Sequence, residues 1–263
     1  MSDFLGDWQA WRDAREALLR DPRGWLSITA VHWLTDAPRR FDDVPGEWYG
    51  DERGATVTLG PGESLGLDGT VLADGAHRLG PLDEVGLTVT FDDAVAQVAD
   101  RDGRPIVRPR HRDAANLRGY RGTPCYPPDP GWILPGRFEP YPAPDGEAVG
   151  EVVLEHGGTR YRLVAWGEED GSLWVLFRDA TSGVTTYPAN RQLVVPPPSP
   201  DGLVSLDFNR AMNMPCAYTD FATCPLPPAE NTLPFAVEAG EQIPATASPP
   251  APSAQPSAHS EIR

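Results

Sequence analysis

Between Asp207 and Glu241 the sequence DFNRAMNMPCAYTDFATCPLPPAENTLPFAVEAGE sets carboxylates, asparagines, an arginine and two cysteines among prolines that stiffen the backbone. Asp207, Asn209, Arg210 and Asn213 follow one another so closely that a carboxylate, two amides and a guanidinium can converge on one small volume. In such a site the carboxylate moves a proton while the other groups hold an anionic or carbonyl-bearing substrate. Glu230, directly after the Pro225 to Pro228 corner, is a second proton carrier, because a rigid corner can aim a carboxylate whose pKa burial raises. The catalytic candidates are therefore Asp207 and Glu230. Tyr187, Arg191, Asn209, Arg210, Asn213 and Tyr218 are the substrate-binding candidates. The same residues also have a structural reading: Asp and Asn commonly hydrogen-bond irregular backbone beside them, and a carboxylate at a proline corner can pin a loop. Both readings stand at this point.

Cys216 and Cys224 admit three roles: a nucleophile pair, half of a metal site, or apolar filler. Zinc asks for closer cysteine spacing and two further ligands, and neither CxxC nor HxxxH occurs. A thiol nucleophile needs a base, which only folding could supply from His32 or His111. Filler is favoured, since a free cysteine behaves as a small hydrophobe. No metal and no cofactor are expected: there is no Gly-rich phosphate loop, GxSxG elbow or dinucleotide fingerprint.

Composition narrows the classes further. The formal charge is -16 over 263 residues, and every positive side chain is arginine, because lysine does not occur. Schiff-base chemistry is excluded for want of an amine. So acidic a chain is repelled by phosphate backbones and anionic lipid, so neither nucleic acid nor membrane is an expected partner; a small molecule is. The start, MSDFLGDW, carries acid where a secretory signal carries base, and no apolar run approaches the roughly 20 residues of a membrane helix. A cytoplasmic protein is expected, with its odd number of cysteines left as thiols.

Several elements must position these groups. Phe4 to Leu19 repeats its apolar residues near helical spacing and predicts an amphipathic helix stopped by Pro22 and Gly24. GWLSITAVHWL alternates like a strand, with Leu26, Ile28 and Ala30 on one side; His32 inside it is read as a hydrogen-bonded structural residue ahead of a catalyst. Short apolar pieces between Arg39 and Arg110 (ATVTLG, LTVTF, AVAQVA, PIVRP) alternate with turn signals and predict antiparallel sheet. Five arginines from Arg108 to Arg121 could hold an anion, though pairing with internal carboxylates is the favoured reading. EVVLEHGGTRYRLVAWGEEDGSLWVLFRD predicts a three-stranded meander, and LVSLDF a last strand with Val204, Leu206 and Phe208 on one face. The whole reads as one mainly β domain over residues 1–241. It is expected to be a single antiparallel barrel or sandwich with an N-terminal amphipathic helix and an irregular Pro-rich C-terminal wrap, followed by a disordered Pro/Ala/Ser-rich tail over 242–263.

FRDATSGVTTY, the long stretch from Leu206 to Glu241 and the early GWLSITAVHWL resemble the bacterial family catalogued as domain of unknown function 1684. The resemblance spans nearly everything from the first helix to Glu241 and implies a mainly β domain without an established reaction. Two departures stand out: relatives carry Gly-Arg-Tyr where Ala189 to Gln192 stand here, and Ala-Tyr-Asn-Pro-Pro-Cys where Ala211 to Cys216 stand. They imply a reshaped pocket and a different substrate. The expectation is a cofactor-independent enzyme of bacterial small-molecule metabolism, secondary metabolism included, catalysing acid/base isomerisation, cyclisation, elimination or hydrolysis. Its alternative is a non-catalytic small-molecule binding or protein-interaction module.

Overall fold

The structure, a computed structural model, describes residues 3–142 and 148–245. The tail expected at the C-terminus falls outside the described residues from 246 onward, while the amides of Gln242 and Ile243 donate to the carbonyls of Pro124 and Thr185. The protein is mainly β, built from curled antiparallel sheets, with an N-terminal helix. That helix, α1 (Phe4–Leu19), has the bounds expected from its periodicity; it buries Leu19, and Glu16 on it takes Arg12 at 2.6 Å and the Tyr120 hydroxyl at 3.0 Å. Among the described residues no helix is long and apolar enough to cross a membrane. The chain divides into two compact units, one of residues up to 122 together with 221–223, the other of the remainder.

The first unit is one eight-stranded sheet: β1 (His32–Trp33), β2 (Arg39–Phe41), β3 (Val44–Asp51), β4 (Gly54–Leu67), β5 (Thr70–Leu79), β6 (Leu87–Phe91), β7 (Ala94–Arg101) and β8 (Arg104–Arg110). Their order is β1-β8-β7-β6-β4-β3-β2, with β5 beside β4. Alternation along β3 turns Val44 and Trp48 inward, onto Val57, Leu65, Val89, Val98 and Val107. The hairpin turns Asp68-Gly69 and Asp102-Gly103 hold both residues at positive φ, the twist that two-residue loops require. Although β1 and β2 end the strand order, the sheet curls until they approach each other. The Leu34 amide donates to Pro105 at 2.9 Å, and the Gly50 amide of β3 donates to the Thr35 carbonyl at 2.8 Å. The approach is tight at Gly50, where a Cβ would lie 3.0 Å from that of Leu34.

GWLSITAVHWL departs from the expected single strand. Trp25–Ser27 is a 3-10 turn in which the Ser27 hydroxyl donates to Gly24 at 2.7 Å, and the run meets the sheet through a single Ile28–Arg110 bridge and the two-residue strand His32–Trp33. A local serine bond competes with the ladder here, and burial of Leu26 and Ile28 satisfies the apolar pattern without a continuous strand. The arginine-rich stretch is likewise tied down. Arg108 is buried on Gln97 and Thr223, Arg110 donates to Arg23, and Arg112 and Arg118 face Asp93 and Asp113.

The second unit is a seven-stranded sheet, β9 (Ile133–Pro140), β10 (Ala148–His156), β11 (Thr159–Gly167), β12 (Leu173–Phe177), β13 (Arg191–Val195), β14 (Leu203–Asp207) and β15 (Met212–Asn213), ordered β14-β9-β10-β11-β12-β13-β15. The meander expected from sequence is β10, β11 and β12. Val152, Leu154, Leu163, Val175, Phe177, Leu193, Leu206 and Phe208 fill its core. The irregular wrap after β15 is anchored by buried Asn231, whose amide oxygen accepts from Val164 N–H at 2.7 Å while its NH₂ donates to the carbonyls of Val164 and Leu176 at 2.9 and 2.7 Å. Asn231→Ala would strand three buried backbone groups, so we expect a loss of about 2–4 kcal/mol in chemical denaturation; a loss under about 0.5 kcal/mol would show that the wrap is held elsewhere.

Candidate functional site

In the first unit the closing sheet edges frame a cleft. Two cavities of about 640 and 410 Å³ share Arg40, Phe41, Asp42 and Asp43; the larger adds Val31, His32, Trp33 and Arg39, the smaller Glu63, Phe91 and His111 among others. Asp42 and Asp43 form the turn between β2 and β3, where Phe41 pairs with Val44. His32 is set by the β1–β8 ladder, opposite Val107. Thr29 and Ser27 are stitched to the same strand and its continuation, through Thr29 N–H to Pro109 and His111 N–H to Ser27.

At this seam His32 Nε2 lies 2.7 Å from Asp43 Oδ1, the Thr29 hydroxyl donates to Asp43 Oδ2 at 3.2 Å, and His111 Nε2 donates to the Asp43 carbonyl at 2.9 Å. Side-chain exposures of 18% for His32 and 27% for Asp43 leave the pair reachable yet partly desolvated. The His32 ring stacks on Phe41 with centroids 3.9 Å apart. Burial alone would raise the Asp43 pKa, but the His32 hydrogen bond and charge, with the Thr29 hydroxyl, outweigh it and hold the carboxyl below its ordinary value. An ionised carboxylate can only accept, so Nε2 carries the proton in this pair and Nδ1 is the basic nitrogen of the neutral ring. Nδ1 makes no hydrogen bond to a described residue. Beside the pair, Arg39 sits over Phe41 at 5.5 Å and Arg104 over Trp33 at 4.7 Å. Glu63 takes Arg40 in two bonds of 2.7 and 2.9 Å, plus the amides of Gly60 and Gly46, which lower its pKa to about 2.

The residues singled out from sequence lie in the second unit, in separate groups. Asp207 accepts from the Asn209 amide and side chain at 3.1 and 2.9 Å and faces Arg210 at 3.2 Å, while Asn209 exchanges two bonds of 2.9 Å with the Asp129 backbone. Arg191 is buried against Asp179 at 2.5 Å, donates to the Val237 and Ala239 carbonyls and lies over the Phe177 ring. Burial lowers its pKa, against the charge of Asp179. Asn213, opposite Arg191 in the β13–β15 ladder, donates from its amide to buried Glu241 at 2.7 Å; Tyr218 donates to the same carboxylate at 3.1 Å. Tyr187 donates to the Cys216 carbonyl at 2.8 Å, and burial raises its phenol pKa. Glu230 is exposed, and among the described contacts none joins it to Asp207. Its neighbour Asn231 is the residue turned inward.

Thus Arg191, Asn213 and Tyr218 are brought together with Asp179 and Glu241, Asp207 with Asn209 and Arg210, and each group binds backbone of its own chain. Asp43 and Thr29 were not singled out, and the only signal for them is that His32 and a carboxylate turn flank the same short stretch. Asp179 could have been suspected from DATS, where its carboxylate accepts from the Thr181 amide at 2.7 Å as turn aspartates do.

Residues 118–242 match a family model described as protein of unknown function (DUF1684). An uncharacterized protein of Haloarcula marismortui, solved by solution NMR, is 29% identical with a TM-score of 0.43, over 48% of this chain and 78% of that one. No curated protein matches. The His32–Asp43 cleft lies outside the matched residues.

Two outcomes follow. Arg191→Met leaves Asp179 a buried unpaired charge and should cost about 3–5 kcal/mol in denaturant, with much of it recovered in Arg191→Met/Asp179→Leu; equal losses in both would refute the pairing. For Glu63, a lowered folded pKa means its contribution is whole above the ordinary 4.5 and disappears as pH falls toward 2. Glu63→Gln should therefore be less stable at neutral pH by about 1–2 kcal/mol, the gap closing near the acid end of a pH–Tm series; a gap that widens with acid would overturn the assignment.

Proposed function

We propose that the protein binds a small carbonyl-bearing or anionic molecule in the cleft of its first unit and moves a proton on it through His32, with no cofactor taking part. The observation that carries this reading is the 2.7 Å bond from His32 Nε2 to Asp43, at a cavity of about 640 Å³. Clefts of a few hundred Å³ with few convergent polar groups are where small ligands bind. Asp43 holds the ring orientation and stabilises the imidazolium that forms when Nδ1 takes a proton, either from carbon beside a carbonyl or from an attacking water. Nδ1 then returns that proton to the product, as isomerisation, elimination or hydrolysis demands. Arg39 supplies a cation for a carboxylate or for developing negative charge, and the Phe41 and Trp33 rings offer flat apolar surface. Asp207 and Glu230 have no part in this reading. A setting in bacterial small-molecule metabolism rests on the sequence resemblance alone.

The cation–π pairs of Arg39 with Phe41 and Arg104 with Trp33 favour a second reading, in which the cleft binds a planar ligand without turning it over. One experiment separates them. A thermal-shift screen of carbonyl and carboxylate metabolites on the wild-type chain supplies a ligand, whose turnover is then followed by NMR. His32→Gln should lower turnover at least about a hundredfold while binding changes only a few-fold, and Asp43→Asn should fall between. Binding without turnover in the wild type selects the second reading; full turnover in both variants removes His32 and Asp43 from the chemistry.

A further inference from the structure

Cys216 and Cys224 lie within the matched family segment of the second unit, far in function from anything assigned to the cleft. Cys216 sits in a 3-10 turn, Pro215–Ala217, entered through Pro215. Its amide donates to the Cys224 sulfur at 3.2 Å. Adding the N–Cα bond to that distance puts Cys224 Sγ no more than about 4.7 Å from Cys216 Cα, a separation at which side-chain rotation brings the two sulfurs into bonding range. Both cysteines are free thiols and neither is sealed from solvent. The Cys224 thiol bonds that of Cys216 and, with the Tyr187 hydroxyl and the amides of Cys216 and Ala217, outweighs burial to hold the Cys216 thiol below its ordinary pKa. A thiol of lowered pKa, a second thiol beside it and partial exposure are the three properties of a peroxide-reactive pair.

We propose that Cys216 and Cys224 form a reversible dithiol–disulfide couple whose oxidant is a hydroperoxide and whose first-attacking sulfur is Cys216. The Cys216 thiolate attacks the terminal peroxide oxygen and the O–O bond breaks, giving a sulfenic acid and, after protonation, the alcohol or water. Cys224 sulfur then attacks Cys216 sulfur, the S–O bond breaks, and hydroxide leaves with the Cys224 proton as water. Two thiols lose two protons and two electrons, and the peroxide gains them. Oxidation exchanges the amide-to-sulfur hydrogen bond for a covalent link between the Pro215–Ala217 turn and the irregular segment at Cys224 and so alters the footing of Tyr187, whose hydroxyl rests on the Cys216 carbonyl.

The test is peptide mapping of the full chain after a small molar excess of hydrogen peroxide, followed by alkylation. The expected product is lighter than the reduced chain by two hydrogens, carries a Cys216–Cys224 crosslink, leaves Cys125 alkylatable and reverts with dithiothreitol. In Cys224→Ser, Cys216 should accumulate as sulfenic acid trapped by dimedone; in Cys216→Ser, Cys224 should remain alkylatable at the same dose. The wild-type mapping needs no variant to fold. Sulfinic or sulfonic acid at Cys216 with Cys224 still alkylatable, a crosslink through Cys125, or oxidation only between molecules would each overturn the proposal.

Discussion

Backbone amides and carbonyls removed from water must find partners, and a curled sheet with irregular segments laid along its edges has many that its ladders do not reach. Both units meet this demand with side chains. In the first, the short strand at one end and the hairpin at the other are joined through Gly50 to Thr35 and through the groups gathered on Asp43. In the second, Asn231 serves three backbone groups of β11 and β12, Glu241 and Arg191 tie the proline-rich wrap to β15 and β13, and Asn209 holds the backbone of Asp129.

That shared demand yields different chemistry in the two places. Arg191 and Glu241 are sealed in: Arg191 pairs with Asp179 and with backbone carbonyls, Glu241 accepts from the Asn213 amide and the Tyr218 hydroxyl, and moving a proton on Arg191 would break a buried pair. Asp43 meets the same kind of demand at a seam that stays open to a cavity, and in the proposed function the pair it makes with His32 keeps a nitrogen for a ligand. The difference lies in exposure, since residue type is much the same. A histidine held by a carboxylate at a cleft is poised for proton transfer, whereas a guanidinium held by one in a core is a rivet.

Much of the fold was legible because periodic burial is local information. The helix over Phe4–Leu19, the meander of β10 to β12 and the strand Leu203–Asp207 follow from the spacing of their apolar residues. GWLSITAVHWL misled because its alternation is compatible with a 3-10 turn that buries Leu26 and Ile28, and the bond from Ser27 to Gly24 is worth as much locally as one rung of a ladder. Glu230 drew attention as the charged residue of its corner. A turn of the chain places Asn231 inward instead, and an amide, which donates and accepts together, suits a backbone strand better than a carboxylate.

By itself the sequence determined the class of the protein and several of its elements: an acidic, lysine-free, mainly β chain in which the stretch from Asp207 to Glu241 carries dense polar side chains for structural or chemical use. Those conclusions depend on composition and on neighbours a few residues apart. Tertiary structure alone decided which use each side chain has. His32 and Asp43 meet because eight strands curl until their ends approach, Arg191 meets Asp179 because it pairs with Phe177 at the end of β12, two residues before Asp179, and Cys216 meets Cys224 through the path of an irregular loop. Whether a polar group faces a cavity or a buried carbonyl is set by the sum of many weak packing choices along the whole chain, and no local pattern of residues contains that sum.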